Sequence, residues 1–441
     1  GFRTNNDQNH DILNAFVQHA VTTKLNVQAE VRTRSTNQGN LLLNFDRDNI
    51  NSRAEQNRIR QKIHDESVRI GAKYDLLPNQ HIIVSGQFND RKLEEINNPF
   101  PFTSPLVNSK IESYQTEIQY QFRNHWLNVI TGSGVFRTSF DQTTQQISAI
   151  NNRTTSCCTH EDGNRDKTNG YIYANLNFIP TMNTTAGFSY DSYDETGLTS
   201  IDGFNPKFGF QWNIISNLRL RMAWFESIKS PLATNQTIEP TQIAGFNQLF
   251  DDINGTKSRR MGIGFDAHYE NKIFTGVEVS KRDLSSPRFL SANSVFLDHK
   301  ENLYYGYLYG VLHKNWVAKS EIRFEKFSRP QSELQQIDTL SAPIGIDYFN
   351  PNGFFANLTG TFVRQKVERL GREKEGTEKY FLVDASIGYR LPNRKGILSL
   401  EARNLFDEYF LFQHINFSTS QAVDSRFVPT RTIVARITFN F

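Results

Sequence analysis

The chain has 441 residues, a net charge of +3 and 12% aromatic residues. Its length allows two or three soluble domains or one large barrel, and its small net charge gives no reason to expect nucleic acid as a partner. No run of about eighteen apolar residues occurs, so a transmembrane helix is excluded. A transmembrane β-barrel remains compatible, because only alternate strand residues face lipid and aromatic residues suit the girdles at both membrane interfaces.

The first third of the chain alternates between apolar and polar residues in paired segments. The clearest is 24–34, where Leu25 and Val27 share one face and Asn26 and Gln28 share the other. A period of two predicts strands with unlike environments on their two faces. Short turns and long polar loops separate the predicted strands in alternation; the strands are 11–21, 24–34, 63–76, 81–93, 110–122 and 126–140.

A long hydrophilic loop after residue 140 is predicted to hold the two cysteines of the chain, Cys157 and Cys158. Few cysteines with one close pair fit an exported bacterial protein better than a disulfide scaffold. Together with His160 and two nearby carboxylates, the pair could form a soft-metal site. Adjacent thiolates cannot easily reach one ion without backbone strain, so we favour a vicinal disulfide or two surface thiols.

The same alternation continues to the C-terminus. The predicted strands are 170–178, 182–193, 204–214, 218–228, 258–269, 272–282, 304–313, 316–327, 339–349, 354–365, 379–390, 397–404 and a last strand within 429–441. One long loop, about 230–257, carries the sequence IEPTQIAGFNQLFDDINGT. No linker interrupts the pattern, so we predict one all-β domain over residues 1–441. It would be a transmembrane antiparallel up-and-down β-barrel with long extracellular loops and short periplasmic turns.

Charged residues recur on the polar face of the predicted strands, which would line the lumen of a barrel. Charges there need water or partners. They have three alternative roles: contacting a plug, lining a conduit, or pairing across adjacent strands. The candidate ligand-binding residues are Arg219, Arg221, Glu278, Arg282, Asp384, Arg390, Glu401, Arg403 and Arg436.

Two acidic clusters, 191–195 and 250–256, offer carboxylates and carbonyls of the kind that bind calcium. We predict both at loop positions, where solvated acidic tips are the commoner alternative. Calcium at extracellular loops is the one cofactor suggested, and no catalytic motif indicates an enzyme. Aromatic residues of the long loops either recognise a ligand or pack the loops together; they include Phe100, Phe102, Phe246 and Phe250.

The C-terminal stretch alternates strictly and ends on an aromatic residue. Ile437, Phe439 and Phe441 share its apolar face. This ending resembles the C-terminal assembly signal of bacterial outer-membrane β-barrels. The resemblance implies the barrel-assembly machinery as a partner, with outer-membrane lipid and lipopolysaccharide as surroundings. The alternative is an edge strand of a soluble β-sandwich, where an unblocked apolar face would be an aggregation hazard.

The predicted strands number about nineteen, whereas bacterial single-chain barrels have even numbers. The first connection, at Thr22 and Thr23, is short and hence predicted to be periplasmic, so the first strand would start outside the cell. We therefore expect roughly three strands upstream and about twenty-two in total, the size of plugged outer-membrane transporters. No signal peptide is present at Gly1, so we expect a mature chain or the C-terminal part of a longer one.

Two stretches resemble TonB-dependent outer-membrane receptors. The first, 204–232, has a strand, a turn and an arginine-bearing strand that lead into a proline-containing loop. The second, 381–410, contains the motif NLFD at 404–407. The resemblance implies ligand-gated uptake of a metal chelate, a cofactor, a glycan or a peptide, with a plug domain and TonB as partners. This sequence contains neither a plug nor a TonB box.

The loop sequence EPTQIAGFNQLFDD also resembles barrels fused to N-terminal tetratricopeptide repeats. This resemblance supports a rival function: an export or assembly conduit, or a surface-interaction barrel, coupled to periplasmic repeats. A plug with a TonB box upstream would support uptake. Upstream repeats without a plug, or a large steady conductance, would support the conduit. An outer-membrane enzyme is a third alternative, which no Ser/His/Asp set supports.

Overall fold

The computed structural model describes residues 5, 7–39, 43, 45, 60–96, 103–150, 153–197, 200–248, 252–290, 293–330, 332–370, 374–414 and 426–439, with the backbone alone at 103–105, 146–150, 153–157, 289–290 and 293–294. Strands dominate these residues. No helix in them is long and apolar enough to cross a membrane.

Nineteen strands form one sheet in which each strand pairs antiparallel with its neighbours along the chain. A separate hairpin of β11 and β12 lies between β10 and β13, and one 3-10 turn spans Pro392–Arg394. The strands are β1 (Gln8–Ala20), β2 (Leu25–Gln38), β3 (Arg60–Leu77), β4 (Gln80–Ile96), β5 (Thr103–Arg123), β6 (Leu127–Ile150), β7 (Arg153–Leu176), β8 (Met182–Glu195), β9 (Ile201–Ile215), β10 (Leu218–Ile228), β11 (Gln242–Ile243), β12 (Phe246–Asn247), β13 (Lys257–Tyr269), β14 (Ile273–Leu290), β15 (Asn293–His313), β16 (Trp316–Ser328), β17 (Leu334–Phe349), β18 (Phe354–Arg369), β19 (Gly376–Arg390), β20 (Gly396–Arg403) and β21 (Thr432–Phe439).

The predicted strand count and antiparallel up-and-down order are confirmed. Within the described residues, β1 pairs with β2 alone and β21 with β20 alone, so these two strands are the edges of the sheet.

Several strands are longer than predicted: β6 and β7 have 24 residues each. The predicted loop around Cys157 and Cys158 is therefore wrong, because both residues lie in β7. Polar residues on both faces hide the alternation there, although the backbone pairing with β6 continues.

The two faces of the sheet have opposite chemistry. On β5, Gln115 and Glu117 are each 1% exposed, whereas Tyr114 and Ile118 are 53% and 51% exposed. The polar face is thus enclosed and the apolar face is open, which is the reverse of a soluble sheet and the arrangement of a barrel in lipid. The prediction that the polar face of the strands lines the lumen is confirmed at β5 and at β10, whose Trp224 points outward.

Among the described residues, two segments fold into the lumen and bury apolar residues of the inner wall. The first lies between β10 and β13 and comprises 229–248 and 252–256, hereafter the inward loop. Its Ile243 and Phe246 pack against Tyr171, Tyr173 and Phe225. The second is the stretch after β20, residues 404–414, which we call the second inward segment.

The second inward segment joins the first strands to the last ones. Its Phe410 and Phe412 pack with Tyr380 of β19 and with Leu43, from the connection between β2 and β3. The backbone N–H of Leu43 donates to His414 Nδ1 at 3.2 Å, and the N–H of His414 donates to the carbonyl of Leu43 at 3.1 Å. Connections near the two edges of the sheet are thus in contact, as expected of a sheet that curls into a barrel.

The end of the chain presents an apolar outer face. Ile437 and Phe439 are 64% and 60% exposed on the side of β21 that faces away from the lumen. Phe441, the last residue of the predicted assembly signal, lies outside the described residues. So do Phe100, Phe102 and Phe250 among the predicted loop aromatics, whereas Phe246 packs inside the lumen.

Candidate functional site

The inward loop begins and ends at one clamped point of the barrel wall. The N–H of Lys229 donates to the carbonyl of Thr256 at 2.9 Å, and the N–H of Gly255 donates back to Lys229 at 3.0 Å. At the far end, the β11–β12 hairpin turns through Ala244 (φ 48°) and Gly245 (φ 86°). Positive φ at both central residues is the geometry of a type I′ turn. The hairpin therefore reaches the wall of the lumen near Arg221, 2.9 Å from where a Cβ on Gly245 would lie.

Amide side chains of β5 bind the backbone of the inward loop. Gln115 Nε2 donates to the carbonyl of Gln236 at 2.7 Å, and its Oε1 accepts from the N–H of Ala233 at 3.2 Å. Gln119 Nε2 donates to the carbonyl of Ile238, whose N–H donates to the Glu117 carboxylate at 3.3 Å. Because these side chains both donate and accept, they pair with the loop much as a neighbouring strand would.

A cluster of charged groups fixes the base of the inward loop to β7, β8 and β9. Lys167 Nζ lies 2.6 Å from Asp191 Oδ1 and also donates to Ser230 Oγ at 2.6 Å. Lys167 and Asp191 are each 2% exposed, and such buried charges are tolerated only when they are paired. Lys207 Nζ donates to the carbonyl of Glu226 at 3.0 Å.

Glu239 is the residue of the inward loop that meets this cluster. Its carboxylate accepts from Tyr173 OH at 2.6 Å and from Asn169 Nδ2 at 2.9 Å. Glu239 belongs to the loop and not to a membrane-spanning strand. Burial of its carboxylate raises the pKa of Glu239, while the Lys207 ammonium acts in the opposite direction. The loop is thus held by hydrogen bonds and by a balanced set of charges.

Three of the predicted lumenal charges come together beside the hairpin. Arg221 lies 2.5 Å from Asp266 and 3.4 Å from Glu278, and Glu278 also lies 3.5 Å from Arg260. Arg282 pairs with Glu301 of β15 at 2.6 Å and with Asp252 of the inward loop. The wall charges are therefore paired across adjacent strands, and Arg282 in addition reaches the loop.

The other predicted charges are placed apart from this group. Arg219 is exposed and donates to Asn213 at 2.9 Å. Glu401 lies 3.6 Å from Arg403 and 3.8 Å from Arg436. These four residues therefore do not contribute to the network around Arg221.

Asp384 and Arg390 make contacts near the last strands. Asp384 accepts from the N–H of Asn404 at 2.8 Å and so positions the start of the second inward segment. The Arg390 guanidinium lies 5.8 Å from the ring centre of Phe349 and 5.7 Å from that of Phe355. Neither contact points to a ligand.

The predicted calcium cluster at 191–195 and the two cysteines lie in strands and not in loops. The loop position predicted for 191–195 is wrong, because β8 continues to Glu195, whose carboxylate pairs with Arg165 at 2.6 Å. Among the residues that the structure describes, no three His, Cys, Asp or Glu side chains are grouped to hold a metal ion. Cys158 is an exposed free thiol. The side chain of Cys157 lies outside the described residues, so a bond between Cys157 and Cys158 stays a prediction.

Sequence reasoning missed the anchoring residues Lys167, Asp191, Lys207, Tyr173 and Glu239. The alternation of polar residues along β7 to β9 is the sequence signal that could have found four of them. It places Lys167, Tyr173, Asp191 and Lys207 on the lumenal face. A cavity of about 710 Å³ lies between the stretch 235–241 of the inward loop and β1 to β4; its lining includes Gln28, Arg69, Ser85, Gln87 and Thr237.

Known proteins resemble this chain in sequence and in fold. A family model described as TonB dependent receptor-like, beta-barrel, matches residues 5–276. No curated protein sequence matches the chain. The closed form of the ferric-catecholate import receptor Fiu from E. coli K12 is similar in structure, with a TM-score of 0.65 and 14% identity over 100% of this chain and 76% of that one.

Two further structures have higher TM-scores. P. aeruginosa FpvA bound to a heterologous pyoverdine has a TM-score of 0.72 and 12% identity, over 100% of this chain and 66% of that one. The unliganded ferric citrate transporter FecA has a TM-score of 0.72 and 12% identity, over 100% of this chain and 71% of that one. The chain thus spans slightly less than two thirds of the length of FpvA.

The structural likeness shows the fold, and the family model covers more than half of the chain. The polar lumen, the apolar outer face and the wall of nineteen antiparallel strands also agree with an outer-membrane barrel. This chain belongs to the TonB-dependent receptor β-barrel family of the outer membrane.

Proposed function

We propose that this barrel forms the wall of a receptor that takes up a small ligand through the outer membrane, gated by a plug domain and energised by TonB. The observation that carries the proposal is the inward loop, which is bonded to the lumenal side of β5, β7 and β14. A lumen that is occupied by the inward loop of the same chain suits gated transport of a ligand rather than a permanently open pore. The import and transport proteins of the same fold support this reading.

The barrel wall contributes rigidity and polarity to this function. Its backbone groups are paired from strand to strand, as a membrane interior requires. Its lumenal side chains present donors and acceptors to a ligand or a plug. The ligand class proposed from sequence remains a metal chelate, a cofactor, a glycan or a peptide.

The surroundings and the closure of the barrel are also proposals. The exposed outer residues Ile437 and Phe439 support recognition of the last strand by the barrel-assembly machinery and contact with lipid or lipopolysaccharide. The unpaired outer edges of β1 and β21, within the described residues, support the addition of about three strands to a total near twenty-two. We retain 1–441 as one barrel domain.

Conductance and uptake together test the proposal. Full-length protein in a planar lipid bilayer is expected to show little steady conductance. In cells, ferric citrate, a ferric catecholate and neutral hexasaccharides are offered in radiolabelled form. We expect at least one to accumulate only when both this protein and TonB are present. A large steady conductance, or accumulation that persists without TonB, would overturn the proposal.

An export or assembly conduit is the second candidate. It is favoured by the resemblance of EPTQIAGFNQLFDD to barrels with tetratricopeptide repeats. The same stretch forms much of the inward loop, so its sequence also has a structural role in the lumen. The bilayer experiment separates the two candidates, since a conduit would conduct steadily.

A further inference from the structure

Three tyrosines on β15 form a row on the lumenal wall, hereafter the tyrosine ladder. Tyr305, Tyr307 and Tyr309 alternate with outward residues, so their side chains share one face. The ring centres of Tyr305 and Tyr307 are 5.9 Å apart and those of Tyr307 and Tyr309 are 5.1 Å apart, with interplanar angles of 30° and 27°. All three are half-buried. The ladder is therefore a continuous aromatic strip, part of which remains accessible.

Tyr307 is held against the wall by its neighbours. It lies directly opposite Gly276 of β14, and a Cβ at Gly276 would come within 2.5 Å of Tyr307 Cε1. The phenol at the other end of the ring donates to Asp266 Oδ1 at 3.0 Å. A glycine beneath the ring and a carboxylate at its tip thus fix its position across β14.

The polar groups beside the ladder carry balanced charges. Asp266 pairs with Arg221 at 2.5 Å, and Arg323 lies 3.5 Å from Glu325 and 5.2 Å above the centre of the Tyr305 ring. Glu321 accepts from Tyr309 OH. The surface therefore offers donors and acceptors next to aromatic rings without a strong excess of either charge.

The two inward segments contact other parts of the wall. In the described residues, the inward loop bonds to strands from β3 to β14, and the second inward segment packs on β17 to β19. Arg426, farther along the connection to β21, bonds Glu325 of β16 at 2.5 Å. The tyrosine ladder lies between these regions on β15, and its half-buried rings face the lumen.

We propose that the tyrosine ladder is a binding subsite for a neutral oligosaccharide, which names the ligand class of the proposed uptake function and rests on it. The C–H face of a pyranose ring is apolar and packs on aromatic rings, while its hydroxyls bond carboxylates and guanidinium groups. The three rings lie close together, with Tyr305 OH and Tyr309 OH 3.4 Å apart, and so offer one aromatic platform for a sugar unit. An anionic metal chelate would need an excess of cations, which the balanced pairs do not provide.

Calorimetric titration of the full-length protein in detergent tests the subsite. The probes are maltohexaose, cellohexaose and laminarihexaose, with ferric citrate as an anionic comparison. We expect saturable binding of at least one hexasaccharide. Tyr307→Ala should weaken it at least about tenfold, the scale of losing a stacked ring and its buried area. Gly276→Ala should also weaken binding, because the new Cβ displaces the ring of Tyr307.

Tyr304→Ala is the matched control, because Tyr304 is 47% exposed on the outer face of the same strand. The Tyr304→Ala protein should bind the hexasaccharide with the affinity of the unmodified protein. Heat-modifiable migration in gels should show that each variant is folded. Absence of hexasaccharide binding, including absence because a plug covers the ladder, would overturn the inference. So would equal binding by Tyr307→Ala. TonB-dependent uptake of ferric citrate without hexasaccharide binding would leave the proposed function standing and remove this inference alone.

Discussion

Glu239 is one of the residues that hold the inward loop against the barrel wall. It accepts hydrogen bonds from Tyr173 at 2.6 Å and Asn169 at 2.9 Å. Glu239→Ala removes the acceptor of both hydrogen bonds. We expect local opening of the loop to become easier by about 1–3 kcal/mol, the usual cost of leaving enclosed polar groups without partners. Hydrogen exchange of the amides in 233–248 measures this opening.

Glu270→Ala provides the matched control for that substitution. Glu270 lies in the exposed turn after β13 and contacts Lys272 at 3.3 Å. Surface pairs of this kind contribute little to stability, so exchange in the inward loop should not change. Equal exchange rates in the Glu239 and Glu270 variants would show that Glu239 does not anchor the loop.

The raised pKa of Glu239 predicts a pH dependence of the same loop. Because the folded-state pKa lies above the ordinary value of 4.5, the folded loop favours the protonated form. Its stabilising contribution is complete below about 4.5 and declines as the pH rises through the raised pKa. The titratable groups facing it are Lys167, Tyr173, Asp191 and Lys207.

Hydrogen exchange between pH 5 and pH 9, corrected for intrinsic rates, should show protection of the loop falling as the pH rises. The Glu239→Gln variant should lose most of this dependence. Protection that rises with pH in the unmodified protein would contradict the assigned direction of the pKa shift.

At the residue scale, the sequence predicts which face a charge occupies but not its partner. Alternation along β10 and β14 was enough to place Arg221, Glu278 and Arg282 in the lumen. Their partners depend on strand register and on the path of a loop. Arg221 meets Asp266 because β10 pairs with β13 in one particular register, and Arg282 meets Asp252 because the inward loop folds back.

Among the elements, the β11–β12 hairpin depends on its turn. Gly245→Ala puts a side chain at φ 86° and within 2.9 Å of Arg221 Nη1. We expect a cost of about 1–3 kcal/mol from a strained backbone in this region, seen as faster amide exchange in 242–247. Gly310→Ala is the control, because its Cβ would meet its nearest neighbour only at 4.0 Å. Unchanged exchange in the Gly245 variant would show that the hairpin tolerates the contact.

The course of the inward loop could not be predicted from its own sequence. Length and polarity indicated a loop, and they are equally typical of one that extends into solvent. Its position is fixed by Gln115, Glu117 and Gln119, which are far away in sequence and show only that β5 has a polar face. The strands were predicted well where lipid and lumen differ, and poorly where both faces are polar, as in β6 and β7.

The orientation of the whole barrel in the outer membrane can be inferred from the strand ends that the long connections join. The long connections from β2 to β3 and from β10 to β13 lie at the same end of the sheet as the connection from β6 to β7, near which Cys158 is exposed. The turn between β7 and β8, which contains Thr181, lies at the opposite end. Long connections are extracellular and short turns periplasmic in barrels of this kind. Cys158 should therefore face the cell exterior.

Labelling of intact cells with a membrane-impermeant maleimide tests this orientation. In a Cys157→Ser background, Cys158 is expected to react. A chain with Thr181→Cys, Cys157→Ser and Cys158→Ser should stay unlabelled until the outer membrane is opened, because its thiol would face the periplasm. Reaction at position 181 in intact cells, together with protection of Cys158, would require the barrel to be inserted the other way. The inward loop would then enter the lumen from the periplasm, and a gate reached by ligand from outside would have to be built from the short turns.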